Sequence, residues 1–272
     1  MKSTIVCLAA LGVLALGCGL QHDDEVSSEV SGLTEESGES SEAGDASTTL
    51  ASIPAASITT PGQLASGETA ALAASVGPTF FKPAGCVTVS RQGAVVTYEF
   101  SGCTGPFGLV GVNGKLVATF SVAGPGALKF VEQSQGLVVG ATPITQSASG
   151  TITFSGSKRL VTWNGTYSGT TARGKAIKHT GSYSGGYDVA SGCIDLDGNA
   201  TTSIGLRGVK TTTTGYRRCG PGGVCPLAGT ITATGLVWNY TVKIEYLGGG
   251  MAELTLPSGK VHDYRMAWCI PD

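Results

Sequence analysis

The sequence predicts a mainly β protein: a single antiparallel, curved meander sheet or a barrel-like sandwich, with one short N-terminal helix and a disordered acidic tether. Glycine accounts for 42 of 272 residues, more than twice its ordinary share, while charged residues make up only 13% and hydrophobic residues 41%. This composition favours many short strands and turns over helices. Alternating segments and an approximate internal repeat point to the same fold class.

The strands are predicted from segments in which apolar and polar residues alternate, as they do in a half-buried strand. These segments are Val87–Val89, Ala94–Phe100, Lys115–Phe120, Thr151–Phe154, Thr230–Ala233 and Tyr240–Tyr246. Strong turn signals lie between them and predict the hairpin connections: Asn113-Gly114, Gly124-Pro125-Gly126, Asn164-Gly165 and Asp197-Gly198.

A loose repeat supports the meander. The segment Gly150–Gly156 is echoed by Gly165–Gly169 and again by Gly181–Gly185, so that the leading glycines are 15 and 16 residues apart. That spacing suits one up-and-down hairpin built from strands of about six residues. Three loose copies predict an array of hairpins rather than a solenoid.

The N-terminal helix is expected at about residues 61–76. Thr60 is a suitable N-cap, Pro61 suits the first helical turn, and the segment from Glu68 to Ser75 is rich in alanine. We expect this helix to pack against the sheet.

The first 17 residues have the pattern of a bacterial lipoprotein signal peptide. Lys2 supplies a positive start, and Ile5–Leu16 form an apolar segment too short to span a bilayer, which takes about 20 apolar residues. The segment ends in Leu14-Ala15-Leu16-Gly17-Cys18, which predicts cleavage before Cys18 and attachment of acyl chains to its thiol. Gly19 follows the cysteine and favours the outer membrane as the destination.

The charge distribution divides the remaining chain into a tether, residues 18–58, and a β domain, residues 59–272. Residues 19–81 contain ten acidic side chains and neither Lys nor Arg, whereas residues 82–272 contain sixteen Lys and Arg against nine acids. Through about Ser47 the chain is acidic, rich in Ser and Gly and free of aromatic residues, so it cannot bury enough apolar surface to offset its loss of entropy on ordering. The short basic clusters of the domain come without a recognisable nucleic-acid reader, and no nucleic-acid partner is expected.

Six cysteines remain after Cys7 and Cys18 are set aside, and an even number in an exported domain predicts three disulfides. We favour Cys86–Cys103, which flank one strand-rich segment, together with Cys193–Cys219 and Cys225–Cys269. The rival arrangement joins Cys219 to Cys225 and Cys193 to Cys269. No Cys-x-x-Cys pair is present, which argues against zinc.

Four Cys-containing segments carry a resemblance to a known group of proteins: Phe100–Pro106, Ser191–Gly198, Cys219–Gly229 and Trp268-Cys269. They resemble uncharacterised lipoproteins of Gram-negative bacteria that consist of a leader, a polar tether and one Cys-containing β domain. The likeness covers roughly residues 80–270. It implies the fold and the location, but no catalytic residue and no cofactor.

Two polar or aromatic groups are candidates for ligand contacts. Asp195, Asp197 and Asn199 offer alternating oxygen ligands for Ca²⁺, although the full calcium loop is absent and an Asp-Gly turn explains the same residues. Four aromatic residues in Gly/Ser/Thr-rich strands form a second candidate, a sugar-binding surface, against which stands simple packing over cross-strand glycines. These residues are Trp163, Tyr167, Tyr183 and Tyr187.

The chain lacks the Gly-x-Ser-x-Gly, His-Glu-x-x-His and phosphate-loop motifs and contains only three histidines. The expectation is therefore a non-enzymatic, lipid-anchored envelope protein with a structural or binding role. Its partners are expected to be the membrane and either an envelope polysaccharide or another envelope protein, and it needs no cofactor. The alternatives are a carrier that encloses an apolar ligand in its curved sheet, a glycan-binding protein and a hydrolase of surface polymers.

Overall fold

The computed structural model describes residues 46–75, 81–105, 109–170, 174–188, 191, 193–219, 226–237 and 239–265. The predicted signal peptide, Cys18 and most of the predicted tether lie outside the described residues. Among those described, thirteen strands form one antiparallel sheet in which each strand pairs with the next in the chain. The first strands are β1 Val87–Gln92, β2 Val95–Cys103, β3 Val112–Gly124, β4 Ala127–Val139, β5 Thr142–Ser155, β6 Lys158–Thr170 and β7 Ala176–Asp188. The remaining strands are β8 Cys193–Ile204, β9 Arg207–Cys219, β10 Pro226–Gly235, β11 Thr241–Gly248, β12 Met251–Thr255 and β13 Val261–Arg265.

The single antiparallel meander predicted from the sequence is confirmed, and of the two predicted forms the sheet takes the open one, with β1 and β13 at its edges. The strands are longer than expected. From β3 to β9 they contain 12 to 14 residues, so the spacing of 15 and 16 between the repeat glycines is one strand plus its turn rather than a whole hairpin. Gly165 and Gly181 accordingly lie directly opposite each other on β6 and β7.

Three of the four predicted turns are wrong. Only Gly124-Pro125-Gly126 connects two strands, whereas the glycines of the other three dipeptides lie inside β3, β6 and β8. Two of these glycines are required for close approach: a Cβ on Gly114 would lie 2.2 Å from the Gly136 carbonyl oxygen, and one on Gly198 would lie 2.2 Å from Cδ1 of Tyr183. All three Asn-Gly and Asp-Gly pairs of this chain therefore lie within strands, and the glycines of two of them are crowded.

The helix expected at 61–76 is present as two pieces. A 3₁₀-helix spans Pro61–Leu64, and an α-helix, α2, spans Gly67–Ala74. Thr60 is the N-cap of the 3₁₀-helix, as predicted, and its amide donates to the Gln63 Oε1 at 3.0 Å. Ser66 is the N-cap of α2, because the Ser66 Oγ accepts a hydrogen bond of 3.0 Å from the Thr69 amide. α2 packs against β2 and β3.

A preceding helix, α1, corrects the predicted tether. Its described part covers residues 46–56, which the sequence analysis assigned to the disordered segment ending at 58. Ala46, Leu50 and Ile53 follow the i, i+4, i+7 spacing of a helical face, and all three are buried, as is Ile58. The run is short and contains Pro54, so its helical pattern is weak, but burial against the sheet stabilises it.

The helices cover one face of the sheet, which we call the helix-covered face. Apolar side chains from α1, α2 and β1–β8 form the larger core cluster there, and β9–β12 contribute a second, separate cluster. Because side chains alternate between faces, the other face carries the intervening residues, which are mostly Ser, Thr, Asn and Lys. We call this second surface the polar face.

Candidate functional site

A shallow groove on the polar face is the candidate site. It has a volume of about 430 Å³ and crosses β4 to β8. Nine of its lining residues have side chains on the polar face: Lys129, Ser149, Thr151, Thr162, Asn164, Ser182, Ser184, Asp197 and Asn199. The groove is therefore an open surface rich in hydroxyl and amide groups, with one ammonium and one carboxylate.

The groove residues stand in rows, because neighbouring strands are in register. Ser149 lies opposite Asn164, Asn164 opposite Ser182, and Ser182 opposite Asn199. Neighbouring strands lie about 4.8 Å apart, so the groove presents one polar side chain at each step across the sheet. A row of this kind suits an extended ligand that runs across the strands.

Hydrogen bonds within the sheet hold the side chains of the groove. The Ser182 Oγ donates to the Asn164 Oδ1 at 2.5 Å, and the Thr212 Oγ1 donates to the Asn199 Oδ1 at 2.9 Å. The Gly215 amide donates to the Asp197 Oδ1 at 2.7 Å. Both asparagines use their oxygen in these bonds, so their NH₂ groups remain as oriented donors at the groove surface.

The floor of the groove depends on glycines. Gly150 and Gly198 flank Trp163 and Tyr183 in a single cross-strand row whose side chains project to the helix-covered face. A Cβ on Gly150 would lie 2.6 Å from a ring atom of Phe130, and Gly198 is crowded by Tyr183. The rings lie flat where the glycines leave room, and the opposite face is left to polar side chains.

The four aromatic side chains of the predicted ligand surface project to the helix-covered face, and Trp163 and Tyr183 contribute to the groove only at its floor. Trp163 and Tyr167 are only 7% and 8% exposed and belong to the core, and Trp163 stacks on Tyr183 with their ring centroids 5.2 Å apart. Tyr187 packs beneath the Arg159 guanidinium, 5.2 Å from the ring centroid. Packing over cross-strand glycines, the alternative weighed from the sequence, accounts for Trp163 beside Gly185 and for Tyr183 beside Gly181 and Gly198. The groove lies in the same rows but on the other face.

The weak calcium candidate is not assembled. Asp195, Asp197 and Asn199 do share the polar face of β8, but each is engaged within the sheet. Asp195 pairs with Lys158 and lies 3.7 Å from the Arg217 Nε, while Asp197 and Asn199 accept the hydrogen bonds described above. Among the described residues, no group of three or more His, Cys, Asp or Glu side chains is placed to hold a metal ion.

Two of the three favoured disulfides are confirmed. Cys86 is bonded to Cys103, and Cys193 is bonded to Cys219 across a directly opposed pair of positions on β8 and β9. The rival pairing of Cys219 with Cys225 is therefore wrong. Cys225 and Cys269 lie outside the described residues, and their bond stays a prediction.

The structure also reveals a buried polar group that the sequence analysis missed. On the helix-covered face, the Gln146 Nε2 donates to the Glu132 Oε1 at 3.3 Å and to the Ser47 carbonyl oxygen of α1 at 3.4 Å. Burial raises the pKa of Glu132 to about 8, since the hydrogen bond from Gln146 offsets only part of the desolvation. A signal was present, because Glu132 continues the alternation of the buried residues Leu128 and Phe130.

His179 is the second buried titratable residue that the sequence analysis missed. Its Nδ1 lies 2.8 Å from the Thr202 Oγ1, and its Nε2 lies 2.9 Å from the Tyr183 hydroxyl. Burial lowers the pKa of His179 to about 4, so the imidazole is neutral at physiological pH. Both of these hydrogen-bond partners are hydroxyl groups. In the described part of the chain, His179 does not belong to a nucleophile–histidine–carboxylate triad.

The acids considered for a hydrolase do not converge on a histidine. Glu245 and Asp263 lie on β11 and β13, on either side of Glu253, whereas His262 projects to the other face of β13. Asp188 lies at the end of β7.

Within the described segments, no helix is long and apolar enough to cross a bilayer. A comparison of the chain with models of protein families, with curated proteins and with solved structures finds no match.

Proposed function

We propose that this chain is an exported, lipid-anchored and non-enzymatic binding module of the bacterial envelope, and that it binds a hydroxyl-rich polysaccharide in the groove on its polar face. The observation that carries the proposal is the cross-strand row of oriented polar groups from Ser149 to Asn199. The leader and Cys18 supply the predicted anchor, and the two disulfides support an oxidising compartment.

The chemistry of the groove favours a saccharide over other ligands. Sugar hydroxyls both donate and accept hydrogen bonds, and the groove offers amide donors on Asn164 and Asn199 beside serine and threonine hydroxyls. Lys129 is balanced by Asp197, so the groove lacks the cluster of cations that a phosphate backbone requires. Its open shape suits a segment of a polymer better than an enclosed small molecule.

Neither alternative function gains a specific observation. A carrier needs room for an apolar ligand, but Leu50, Ile53 and Ile58 fill the helix-covered face of the sheet. A hydrolase needs acids that converge in a cleft, and Glu245 and Asp263, which flank Glu253 in one cross-strand row, lie outside the groove. The proposal therefore remains with binding.

The test is affinity for purified envelope polysaccharide in native gels that contain the polymer. The variant Asn164→Ala/Asn199→Ala removes two oriented donors, and at about 1 kcal/mol each we expect binding to weaken at least tenfold. The matched control is Thr241→Ala, which breaks a comparable Thr234–Thr241 hydrogen bond of 2.9 Å on the polar face of β10 and β11, outside the groove. The proposal fails if the control weakens binding as much, or if no polysaccharide retards the wild-type chain.

The anchor is tested separately by detergent phase partitioning of the chain purified from bacterial membranes. We expect the wild type to enter the detergent phase and to carry added acyl mass on residue 18, and we expect Cys18→Ala to lack acyl mass at that residue. A wild-type chain without added mass would contradict the anchor and leave the groove to its own test.

A further inference from the structure

One end of the sheet carries exposed apolar side chains together with cations, which is unusual for a solvent-facing edge. In the turn between β8 and β9, Leu206 is 99% exposed and is followed by the exposed Arg207. Among the described residues of the turn between β10 and β11, the exposed apolar side chains are Leu236, Val237 and Tyr240, each about half exposed. With Lys260 of the turn between β12 and β13, these six residues form what we call the basic rim.

The rim is one continuous surface. The Leu236 amide donates to the Gly208 carbonyl oxygen at 2.8 Å, which ties the β10–β11 turn to the start of β9 beside Leu206. Lys243 of β11 pairs with Thr255 of β12, so the turn that contains Lys260 adjoins the start of β11. Antiparallel connections alternate between the two ends of a sheet, and these three turns all lie at the same end.

The charge of the rim has a single sign. Among the described residues of the turns at this end there is no Asp or Glu, whereas Arg207 and Lys260 are exposed. At the opposite end, Asp188 and Asp195 accompany the cations. Exposed leucine and tyrosine beside cations match the interfacial region of a bilayer. There, apolar side chains enter the acyl boundary and cations meet anionic head groups.

The direction of α1 provides an independent argument. Arg159, at the opposite end of β6, hydrogen bonds the carbonyl oxygens at the C-terminus of α1. Ser47, near the described start of α1, lies over Gly165 and next to Gln146, nearer the rim end of the same strands. The described start of α1, Ala46, therefore lies toward the rim end of the sheet, 28 residues after Cys18 in the sequence.

We propose that the basic rim is a membrane-docking surface that rests on the anionic phospholipid head groups of a bilayer. Docking places the rim at the membrane surface and directs the strands away from it, along the membrane normal. The polar face is then perpendicular to the membrane surface. It adds a second, weaker membrane contact to the predicted acyl anchor. The rim stands on its own residues and does not depend on acylation of Cys18.

The test is photo-crosslinking of the full chain, purified from bacterial membranes and reconstituted into vesicles. A photoreactive amino acid replaces Leu206 in the rim or Leu247 at the opposite end of the sheet, which is 54% exposed. In phosphatidylethanolamine–phosphatidylglycerol vesicles we expect lipid adducts at 206 in clear excess over 247. In phosphatidylcholine vesicles, or with Arg207→Ala/Lys260→Ala, we expect that excess to be lost.

Equal labelling at 206 and 247 would overturn the proposal, and so would adducts at 206 that join two protein chains instead of protein and lipid. Flotation of the same samples reports total membrane attachment. Failure of the acyl anchor appears as equal flotation of wild type and Cys18→Ala, while failure of the rim appears only in the ratio of labelling at 206 to that at 247. The two failures are thus distinguishable.

Discussion

The guanidinium of Arg159 closes the C-terminus of α1. Its Nη1 lies 2.7 Å from the Ala55 carbonyl oxygen, 3.0 Å from that of Ala56 and 2.9 Å from that of Ile58. These acceptors lie more than 100 residues earlier in the chain and carry the negative end of the helix dipole. A residue of the sheet therefore terminates a helix that has no strong stop signal of its own.

We expect Arg159→Met to lower the free energy of unfolding by about 3 kcal/mol, because it removes a charged donor and leaves buried helix carbonyls without it. The measurement is urea denaturation followed by circular dichroism. Arg91→Met is the control, since Arg91 is exposed and donates only to the Gly93 carbonyl oxygen at 3.2 Å. A loss in the control as large as that in Arg159→Met would contradict the cap.

Glu132 makes stability depend on pH. Its pKa is about 8 in the folded chain and 4.5 ordinarily, so between these values the folded state keeps a proton that the unfolded state has lost. Stability therefore falls as pH rises through this window, by up to about 1.4 kcal/mol per pH unit. We expect Glu132→Gln to remove this fall in urea titrations between pH 6.5 and pH 8. Glu99→Gln, an exposed change, should retain it, and an identical slope in all three proteins would refute the assignment.

His179 acts in the opposite direction. Its pKa is about 4 in the folded chain and 6.5 ordinarily, so the unfolded state takes up a proton first as pH falls and stability is lost on acidification. Between pH 4.5 and 6.5 this loss and the gain from Glu132 compensate. The effect is therefore best measured in Glu132→Gln, where we expect stability to fall from pH 6.5 to 4.5, and adding His179→Gln should abolish that fall. If the double variant still loses stability to the same extent, another group titrates.

Gly198→Ala tests whether the glycines of the strands serve packing. The added Cβ meets the Tyr183 ring, and we expect a loss of about 1–3 kcal/mol in unfolding free energy. The matched control is Gly124→Ala, where nothing lies within 4 Å of the new Cβ. Near-ultraviolet circular dichroism should also change for Gly198→Ala alone, because Tyr183 stacks on Trp163. Equal stability of the two variants would show that Tyr183 moves aside freely.

The variant Cys193→Ala/Cys219→Ala removes the disulfide between β8 and β9. We expect it to lower the free energy of unfolding by about 3 kcal/mol, since the crosslink closes a loop over a sequence separation of 26 residues. Thiol titration of the unfolded, mature chain then tests the remaining pair. If Cys225 and Cys269 are bonded as predicted, neither the wild type nor the variant has a reactive thiol. Two thiols in both proteins would disprove that pairing.

Much of the fold was predictable because its signals are local. The alternation in Lys115–Phe120 and Tyr240–Tyr246 is visible in the sequence, and except for Tyr240 both segments lie in strands. The favoured pairs Cys86–Cys103 and Cys193–Cys219 join positions on neighbouring strands, as a meander requires. α1 was missed because the sheet, and not its own sequence pattern, stabilises it.

The candidate site was the least predictable part, because alternation alone does not tell which face of a strand is covered. Trp163 and Asn164 are neighbours in the chain but lie on opposite faces, so the aromatic residues were assigned to the surface that the asparagine in fact occupies. The register of the strands and the position of the covering helix decide which face is buried. Both depend on contacts between residues that are far apart in the sequence.

By itself the sequence determined the β class, the meander and the cysteine pairs that local strand order brings together. Only the tertiary structure decided that residues 46–58 belong to the core, that glycines 114, 165 and 198 lie within strands, and that the polar face holds the groove. The physical reason is the same in each case. Burial depends on which distant residue lies opposite, and the Arg159 bonds to α1 or the Tyr183 ring over Gly198 exist only once the sheet has formed.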